Sequence, residues 1–395
     1  MGKFPFWKVK RELRRIGRSG QDTAVELVRK LYFRRHYDLV TYKNIKRTRG
    51  TVPLGKDVAI YLMFPGAGLL ASYLTMLRAL RLAGISPIVV SNRPLITQDR
   101  DKICEYASIV IERPNVGYDF GGYRDGILEV ADILPTLDRI WLLNDSVWLL
   151  AQDISWFEQA RAMGKDFVGA TSSFSILRKT WLGTKRWNAS DYRSIIWRHD
   201  PNNRDFHYAS YALCIGPAIL QDRNFLRYWE KLDIRNDKKH TVRRGEMGLT
   251  QWVMKHGYTH GATSEINDLD NELSRLSDAE LDQAARELVI FKGTELAALK
   301  TRVLGTEPNS IEGRAERIGL ILSAVARQGS AYALAVYILR RHHFPFLKKS
   351  LLWLSSEGPE TVLAAIASLD GEEASHIADE ARLICEARAI ARQTV

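Results

Sequence analysis

Cysteine is scarce in this sequence. The chain has three cysteines in 395 residues, Cys104, Cys214 and Cys385, and none of them forms a CxxC pair. Disulfide frameworks need an even number of cysteines and redox motifs need close spacing, so both are disfavoured. We expect reduced thiols in a cytosolic compartment, most of them buried as small apolar side chains.

Long hydrophobic runs are also missing. A membrane-spanning helix needs about 18 or more consecutive apolar residues. The nearest candidate, 318–339, is interrupted by Arg327 and Gln328. Charges interrupt the first residues as well, so the sequence predicts neither a spanning helix nor a secretory signal.

Two nucleotide-binding motifs are absent. No GxxxxGK[ST] occurs, which excludes a P-loop. The turn at 66–68 contains only two glycines, without the third glycine and the spacing of a dinucleotide-binding fingerprint. A Rossmann dehydrogenase is therefore disfavoured.

Positive charge is concentrated at one end of the chain. The net charge is +11, and residues 1–50 contain 15 Lys and Arg against four acidic residues, so this segment accounts for the whole excess. Apolar residues recur there at helical spacing: Phe4, Phe6, Trp7, Val9, Leu13 and Ile16. The pattern is typical of an interfacial helix, and it predicts a membrane-associating arm on an anionic membrane surface. A solvated arm and a nucleic-acid arm are the alternatives. We expect no nucleic acid, because the neutral remainder offers no basic stripe to a duplex.

From residue 57 onward, apolar strand-like runs alternate with helical periodicity. Buried strands are predicted over 58–64, 87–90, 108–111, 140–143 and 166–170, with helices over 69–83, 97–106, 122–134 and 245–256 and a charged loop over 235–244. This alternation favours an α/β fold with a Rossmann-like, mostly parallel mixed sheet flanked by helices. After 265 only helical patterns recur. We therefore predict one α/β domain over 51–265 and an α-helical C-terminal region over 266–395.

One predicted strand ends in three small polar residues, Asn144, Asp145 and Ser146. In open α/β sheets, ligands bind at the carboxyl ends of the strands. Mg²⁺ and Mn²⁺ prefer carboxylate, phosphate and water oxygens as ligands. The motif also resembles the short acidic motif at which GT-A glycosyltransferases hold a divalent cation on the phosphates of a nucleotide-sugar. This resemblance implies that Asn144 and Asp145 bind the donor and that Asp145 holds the cation. A plain turn is the alternative.

A glycine-rich turn precedes the 122–134 helix and contains Asn115, Gly117, Asp119, Gly121 and Gly122. Glycines allow backbone amides to approach an anion at a helix start. We predict that these five residues contribute to donor binding, with Asp119 on a sugar or ribose hydroxyl. The alternative is a structural turn that caps the helix.

Two further residues lie in the order that such a site requires. Glu246 is predicted at a helix start, where an ionised carboxylate could accept the proton of an acceptor hydroxyl. His260 follows one helix later, and a neutral imidazole there could complete the metal shell. A helix-start Glu favoured by the helix dipole and an ordinary structural His are the alternatives.

The long polar insert at 174–205 is rich in aromatic residues. Sugar rings present apolar C–H faces, and Trp181, Trp187 and Trp197 are candidates for stacking on an acceptor glycan. Long ordered loops are more often functional than not. Hydrophobic anchoring of the loop is the alternative.

Together these segments resemble the rhamnan synthesis protein F family of bacterial polysaccharide assembly. The resemblance covers roughly residues 58–262, and its most specific parts are 115–122, 143–146 and 245–249. It implies a GT-A glycosyltransferase fold and transfer of a sugar, often rhamnose from a dTDP donor, onto a glycan assembled on a lipid carrier. Asn144 stands where many GT-A enzymes have a first aspartate.

The resulting hypothesis is an inverting glycosyltransferase that builds a bacterial surface polysaccharide or lipopolysaccharide. Its expected partners are a nucleotide-sugar donor such as dTDP-rhamnose, a glycan or lipid-linked glycan acceptor, and the inner face of the cytoplasmic membrane. Mg²⁺ or Mn²⁺ would neutralise the diphosphate and Glu246 would deprotonate the acceptor. The alternative is a non-catalytic glycan- or membrane-binding scaffold.

Overall fold

The computed structural model describes residues 37–66, 68–150, 155–173, 205–235, 237–369 and 371–393. Within them, one nine-stranded sheet forms the centre of the molecule. Its strands are β1 (Lys46–Arg49), β2 (Asp57–Met63), β3 (Ser86–Ser91), β4 (Ile109–Glu112), β5 (Arg139–Asn144), β7 (Phe167–Ser173), β8 (His207–Tyr208), β9 (Ala212–Ile215) and β10 (His260–Ser264). β6 (Val147–Leu149) and β11 (Phe346–Lys348) form a separate two-stranded sheet.

The strand order of the large sheet is β1-β4-β3-β2-β5-β9-β7-β10, with β8 added to β7. Strands β4, β3, β2 and β5 are parallel. β9 runs antiparallel between β5 and β7, so β7 and its parallel neighbour β10 run in the same direction as β5. The predicted α/β class with a mostly parallel mixed sheet is confirmed.

Helices cover both faces of this sheet and form most of the C-terminal region. The helices of the α/β part are α1 (Ala71–Leu82), α2 (Thr97–Cys104), α3 (Tyr118–Glu129), α4 (Trp156–Ala162), α5 (Pro217–Leu220), α6 (Arg223–Glu230), α7 (Lys238–Thr241) and α8 (Met247–Lys255). Those after residue 265 are α9 (Leu269–Ser274), α10 (Asp278–Arg286), α11 (Thr294–Leu304), α12 (Ile311–Gln328), α13 (Ser330–Ala333), α14 (Ala335–Arg341), α15 (Leu351–Leu354), α16 (Gly358–Ala367) and α17 (Glu372–Gln393). No helix among the described residues combines the length and the apolar character needed to cross a membrane.

The central strands are apolar throughout because both faces of the sheet are covered. Successive side chains of β2 alternate between two cores. Ala59 and Tyr61 pack on one side and Ile60 and Leu62 on the other. The first core also contains buried side chains of α10, α12 and α14, so the helical C-terminal region packs directly against the α/β part.

Residues 37–50, which the sequence analysis placed in the basic arm, contribute to the sheet domain. β1 pairs antiparallel with β4 at the sheet edge. Tyr37 is buried and donates a hydrogen bond to Asp125 of α3. The part of the predicted arm over residues 1–36 lies outside the described residues.

Three local predictions differ from the structure. α3 begins at Tyr118 rather than at residue 122, so Gly121 and Gly122 lie inside a helix. The predicted charged loop 235–244 contains α7 and a π-helical turn, Val242–Glu246, that continues into α8. A strand, β11, lies in the C-terminal region, where only helices were predicted, and pairs antiparallel with β6.

Candidate active site

The strand-end motif lies where β5 leaves the centre of the sheet. The side-chain oxygen of Asn144 accepts hydrogen bonds from the amide and the hydroxyl of Ser146, at 3.1 and 2.6 Å. Its side-chain nitrogen donates to Asp119 Oδ2 at 3.2 Å. Asn144 therefore closes the turn with one end and reaches the first turn of α3 with the other.

Asp145 is held between the ends of two parallel strands. Its amide donates to the carbonyl of Leu62 in β2 at 3.1 Å. Its Oδ2 accepts hydrogen bonds from the amide of Phe64 at 2.7 Å and from the hydroxyl of Tyr73 at 3.1 Å. One backbone contact and two carboxylate contacts therefore fix Asp145 at the carboxyl edge of the sheet.

The pKa values of Asp119 and Asp145 are both raised at this edge. Burial, together with the negative charges of Asp145 and Glu246, raises the pKa of Asp119 to about 6. Burial also raises the pKa of Asp145, against the positive charge of Lys349 and the hydrogen bond from Phe64. The three acids therefore create a region of negative potential that favours a bound cation or a proton.

Three glycines allow the chain to turn and to pack closely at the start of α3. Gly117 precedes the helix with a φ of 75°, a left-handed conformation that side chains rarely adopt. A Cβ on Gly121 would lie 2.1 Å from the carbonyl oxygen of Val116, and one on Gly122 would lie 2.3 Å from Leu62 Cδ1. Close packing against the preceding turn thus accounts for Gly121, and packing of α3 on β2 accounts for Gly122. The amides of both residues lie within the helix. Their role in donor binding stays a prediction.

A buried ion pair supports the turn before α3. Arg113 Nε donates to Asp125 Oδ2 at 2.6 Å, and both side chains are fully buried. The same guanidinium donates to Asn92 Oδ1 at 2.5 Å and to the carbonyl of Val116 at 2.6 Å. Arg113 therefore joins the end of β3 to the start of α3 and holds the turn that carries the exposed Asn115.

Glu246 lies in the middle of a continuous helical segment. It is the last residue of the π-helical turn that links α7 to α8. The sequence had instead predicted a free helix start at this position. Glu246 Oε1 accepts a hydrogen bond from the amide of Ser210 at 2.8 Å, and its Oε2 lies 3.8 Å from His207 Nε2. π-helical turns often occur at functional sites. The adjacent Gly245 packs against the ring of Phe120, since a Cβ there would lie 2.2 Å from it.

The C-terminal region supplies side chains that the sequence analysis did not assign to the site. Lys348, at the end of β11, donates to Ser146 Oγ at 3.2 Å. Lys349 lies beside Asp145, and the charges of Glu246 and Asp119 act on Tyr332 of α13. The signal in the sequence was small: a short apolar run, 344–347, followed by two lysines.

His260 does not join this group. It begins β10 and pairs with Phe167 of β7. Phe167 pairs with Ile215 of β9, which in turn pairs with Ile140 near the amino end of β5. His260 Nδ1 bonds the hydroxyl of Tyr208 at 2.7 Å. Asp145 follows the opposite, carboxyl end of β5, so the two predicted metal ligands lie at opposite ends of the strands.

Two other predictions concern the acceptor-binding residues and the metal ligands. The candidate acceptor-binding residues Trp181, Trp187 and Trp197 lie outside the described residues. The described residues contain no group of three or more His, Cys, Asp or Glu side chains that could hold a metal ion. A cation at the strand end would therefore take further ligands from a bound phosphate and water, as Mg²⁺ commonly does.

Comparisons with known proteins place the chain in a family. It is 32% identical over 255 residues to the uncharacterized protein y4gN of Sinorhizobium fredii, a match that covers 64% of this chain and 59% of that relative. The chain thus spans about three fifths of the relative's length. Among solved structures, a mannosyltransferase of Pyrobaculum calidifontis in complex with GDP-Man and Mn²⁺ is similar with 11% identity and a TM-score of 0.28, over 91% of this chain and 89% of that chain. A similarity of this degree carries no functional inference.

The family description agrees with the predicted resemblance. The profile of the family described as rhamnan synthesis protein F matches residues 87–333. This range includes the turn before α3, the strand-end motif and Glu246, and it covers well over half of the chain. The chain therefore belongs to the rhamnan synthesis protein F family.

Proposed function

We propose that the protein is an inverting GT-A glycosyltransferase of bacterial polysaccharide or lipopolysaccharide synthesis. The main support is a cluster of polar side chains at the carboxyl edge of the sheet, formed by Asp119, Asn144, Asp145 and Glu246. The chain also belongs to the rhamnan synthesis protein F family. That edge is where open α/β sheets bind their ligands. The donor would be a nucleotide-sugar such as dTDP-rhamnose.

The donor diphosphate would bind at the strand end with a divalent cation. Asp145 and Asp119 offer the hard oxygen ligands that Mg²⁺ or Mn²⁺ prefers. The pKa of Asp119, raised first by burial and then by its acidic neighbours, indicates a site where positive charge is favoured. When bound, such a cation neutralises the charge that develops on the diphosphate leaving group.

Glu246 would act as the general base. The Ser210 amide holds Oε1 at 2.8 Å, which fixes the carboxylate without consuming both oxygens. An acceptor hydroxyl that approaches Oε2 could lose its proton as it attacks the anomeric carbon from the face opposite the diphosphate. Attack from that face inverts the configuration of the sugar, through an oxocarbenium-like transition state.

The acceptor and the location of the enzyme complete the proposal. Trp181, Trp187 and Trp197 would stack on a glycan or lipid-linked glycan acceptor. The basic, aromatic N-terminal segment would hold the enzyme on the anionic inner face of the cytoplasmic membrane. Transfer would then take place beside a membrane-bound acceptor.

Calorimetric titration with UDP-, GDP- and dTDP-sugars, with and without Mn²⁺, tests the proposal. A glycosyltransferase binds one of these donors in a nucleotide-dependent manner and releases the nucleoside diphosphate when an acceptor is present. A non-catalytic scaffold gives no nucleotide-dependent heat with any of them. That result would refute the proposed function.

A further inference from the structure

The short strand β11 brings two consecutive lysines to the strand-end motif. Lys348 is paired with Val147 of β6, and the amide of Lys349 donates to the carbonyl of Ser146 at 3.1 Å. Because successive side chains of an extended chain point in opposite directions, the two ammonium groups separate. They therefore reach different surroundings from the same backbone.

Lys349 is a structural residue. Its Nζ lies 2.8 Å from Glu380 Oε1 and 3.0 Å from Ser72 Oγ, and both charged side chains are buried. Its positive charge is thus matched by a carboxylate of α17. Lys349 thus already has a buried counter-ion within the protein.

Lys348 has a different environment. Its Nζ donates to Ser146 Oγ and lies 4.0 Å from the ring centroid of Tyr211 and 5.6 Å from that of Tyr332. Among the described residues it forms no ion pair, although it is only 8% exposed. A buried ammonium without a close counter-ion is unfavourable, and the aromatic faces compensate for it only in part.

The charges around Lys348 belong to the proposed donor site. Burial, with a smaller contribution from the charge of Lys238, lowers the pKa of Lys348 to about 8 against the opposing charges of Glu246 and Asp119. The ammonium therefore lies close enough to the two acids to interact with them but does not bond either. An anion that entered at the strand end would give it the missing partner.

We propose that Lys348 is a phosphate-binding residue that the C-terminal region contributes to the donor site, where its ammonium binds the diphosphate of the nucleotide-sugar beside Ser146. This inference rests on the proposed function, since the diphosphate is that of the donor. It gives β11 a role in substrate binding. The motif contains a single acid, Asp145, because residue 144 is an asparagine. The ammonium of Lys348 would therefore neutralise part of the diphosphate charge, together with a cation or without one.

The test compares K348M with K348R and with the control K255M, which changes an exposed lysine of α8. Titration calorimetry measures binding of the nucleoside diphosphate that wild-type protein prefers among UDP, GDP and dTDP, and of the matching monophosphate and nucleoside. Charge-assisted hydrogen bonds to phosphate predict that K348M weakens diphosphate binding about tenfold or more. The nucleoside should bind unchanged, K348R should retain most of the affinity, and K255M should behave as wild type.

Two results overturn the inference, and they are distinguishable. If wild-type protein binds a diphosphate and K348M binds it equally well, Lys348 is not a phosphate ligand, while the proposed function stands. If wild-type protein binds no nucleoside diphosphate at all, the proposed function fails together with this inference. Should K348M fail to fold, K348Q and K348R make the same comparison, with loss of affinity expected in the first and retention in the second.

Discussion

The ammonium of Lys349 and the carboxylate of Glu380 form a buried ion pair at 2.8 Å. Glu380 also accepts hydrogen bonds from Trp148 Nε1 at 2.9 Å and from the hydroxyl of Ser72 at 3.1 Å. The pair therefore joins α17 to α1 and to β6. It also holds in place the segment that lies against the strand-end motif.

We predict that Glu380→Gln strongly destabilises the protein. Glutamine keeps the size and the acceptor oxygen but leaves the buried Lys349 ammonium without its ion-pair partner. Loss of one partner of a buried pair typically costs about 3–5 kcal/mol. Urea unfolding measures the change in the free energy of unfolding. Glu386→Gln, at an exposed position of the same helix, is the control, and equal stability of the two variants would contradict the prediction.

Asp145→Asn is predicted to remove most cation-dependent donor binding while the fold persists. An asparagine oxygen can still accept the hydrogen bonds that Phe64 and Tyr73 donate to Asp145. It lacks the negative charge that a divalent cation requires. Calorimetry with a nucleotide-sugar, with and without Mn²⁺, gives the result. Asp138→Asn, at an exposed acid, serves as the control, and Mn²⁺-dependent affinity that survives in Asp145→Asn would refute the assignment.

Glu246→Gln is predicted to lower the transfer rate about 10²- to 10⁴-fold, the usual contribution of a general base. The amide of Ser210 can still donate to a glutamine oxygen, so donor affinity and melting temperature should change little. Single-turnover transfer and a melting curve provide the two readouts. If transfer continues at the wild-type rate, the base lies elsewhere. If donor affinity falls together with the rate, Glu246 contacts the donor instead.

Gly122→Ala is predicted to destabilise the protein by about 1–3 kcal/mol. The new methyl group would lie 2.3 Å from Leu62 Cδ1, so α3 or β2 would have to move. Alanine otherwise favours helix formation, which makes the sign of the change a direct test of the packing. Gly305→Ala is the control, since its nearest neighbour would lie at 3.4 Å. Urea unfolding of both variants measures the difference, and two equal free energies would contradict the prediction.

Removal of residues 1–36 is predicted to abolish binding to anionic vesicles while the remainder stays folded. The deleted segment contains 11 Lys and Arg against three acidic residues, and each basic residue near such a surface contributes about 1 kcal/mol. Truncation at 36 rather than 50 preserves Tyr37, which donates to Asp125, and the pairing of β1 with β4. Co-sedimentation with phosphatidylserine vesicles measures binding. Equal sedimentation of the truncated and full-length proteins would show that the segment is not the anchor.

The sequence predicted the elements that depend on local pattern. β2 and β5 are continuous apolar runs because both faces of the sheet are covered, and they appear at the predicted positions. The polar residues after β5 could be placed at the ligand edge because the carboxyl ends of parallel strands meet at one edge of the sheet. The class of fold and the position of Asp145 were therefore readable from the chain.

Other features depend on contacts between distant residues. Gly121 and Gly122 were interpreted as turn glycines, because sequence does not distinguish flexibility from close packing, here against the Val116 carbonyl and Leu62 respectively. The position of Lys348 depends on pairing between β6 and β11, strands of three residues each that lie about 200 positions apart. No periodicity develops in three residues, so the short apolar run before the two lysines did not identify a strand or its partner.

The pairing of β6 with β11 also has a consequence for biosynthesis. The ribosome releases the chain from its N-terminus, and the carboxylates of Asp119 and Asp145 emerge long before Lys348 and Glu380. Contacts so distant in sequence form slowly and late, because the loop between them must first close. A nascent chain that ended near residue 333, where the family profile also ends, would carry the acids at the strand end but neither lysine. The acidic edge would then lack its basic complement until residues 348–380 had been synthesised, so the proposed transfer activity would require the segment that contains β11 and α17.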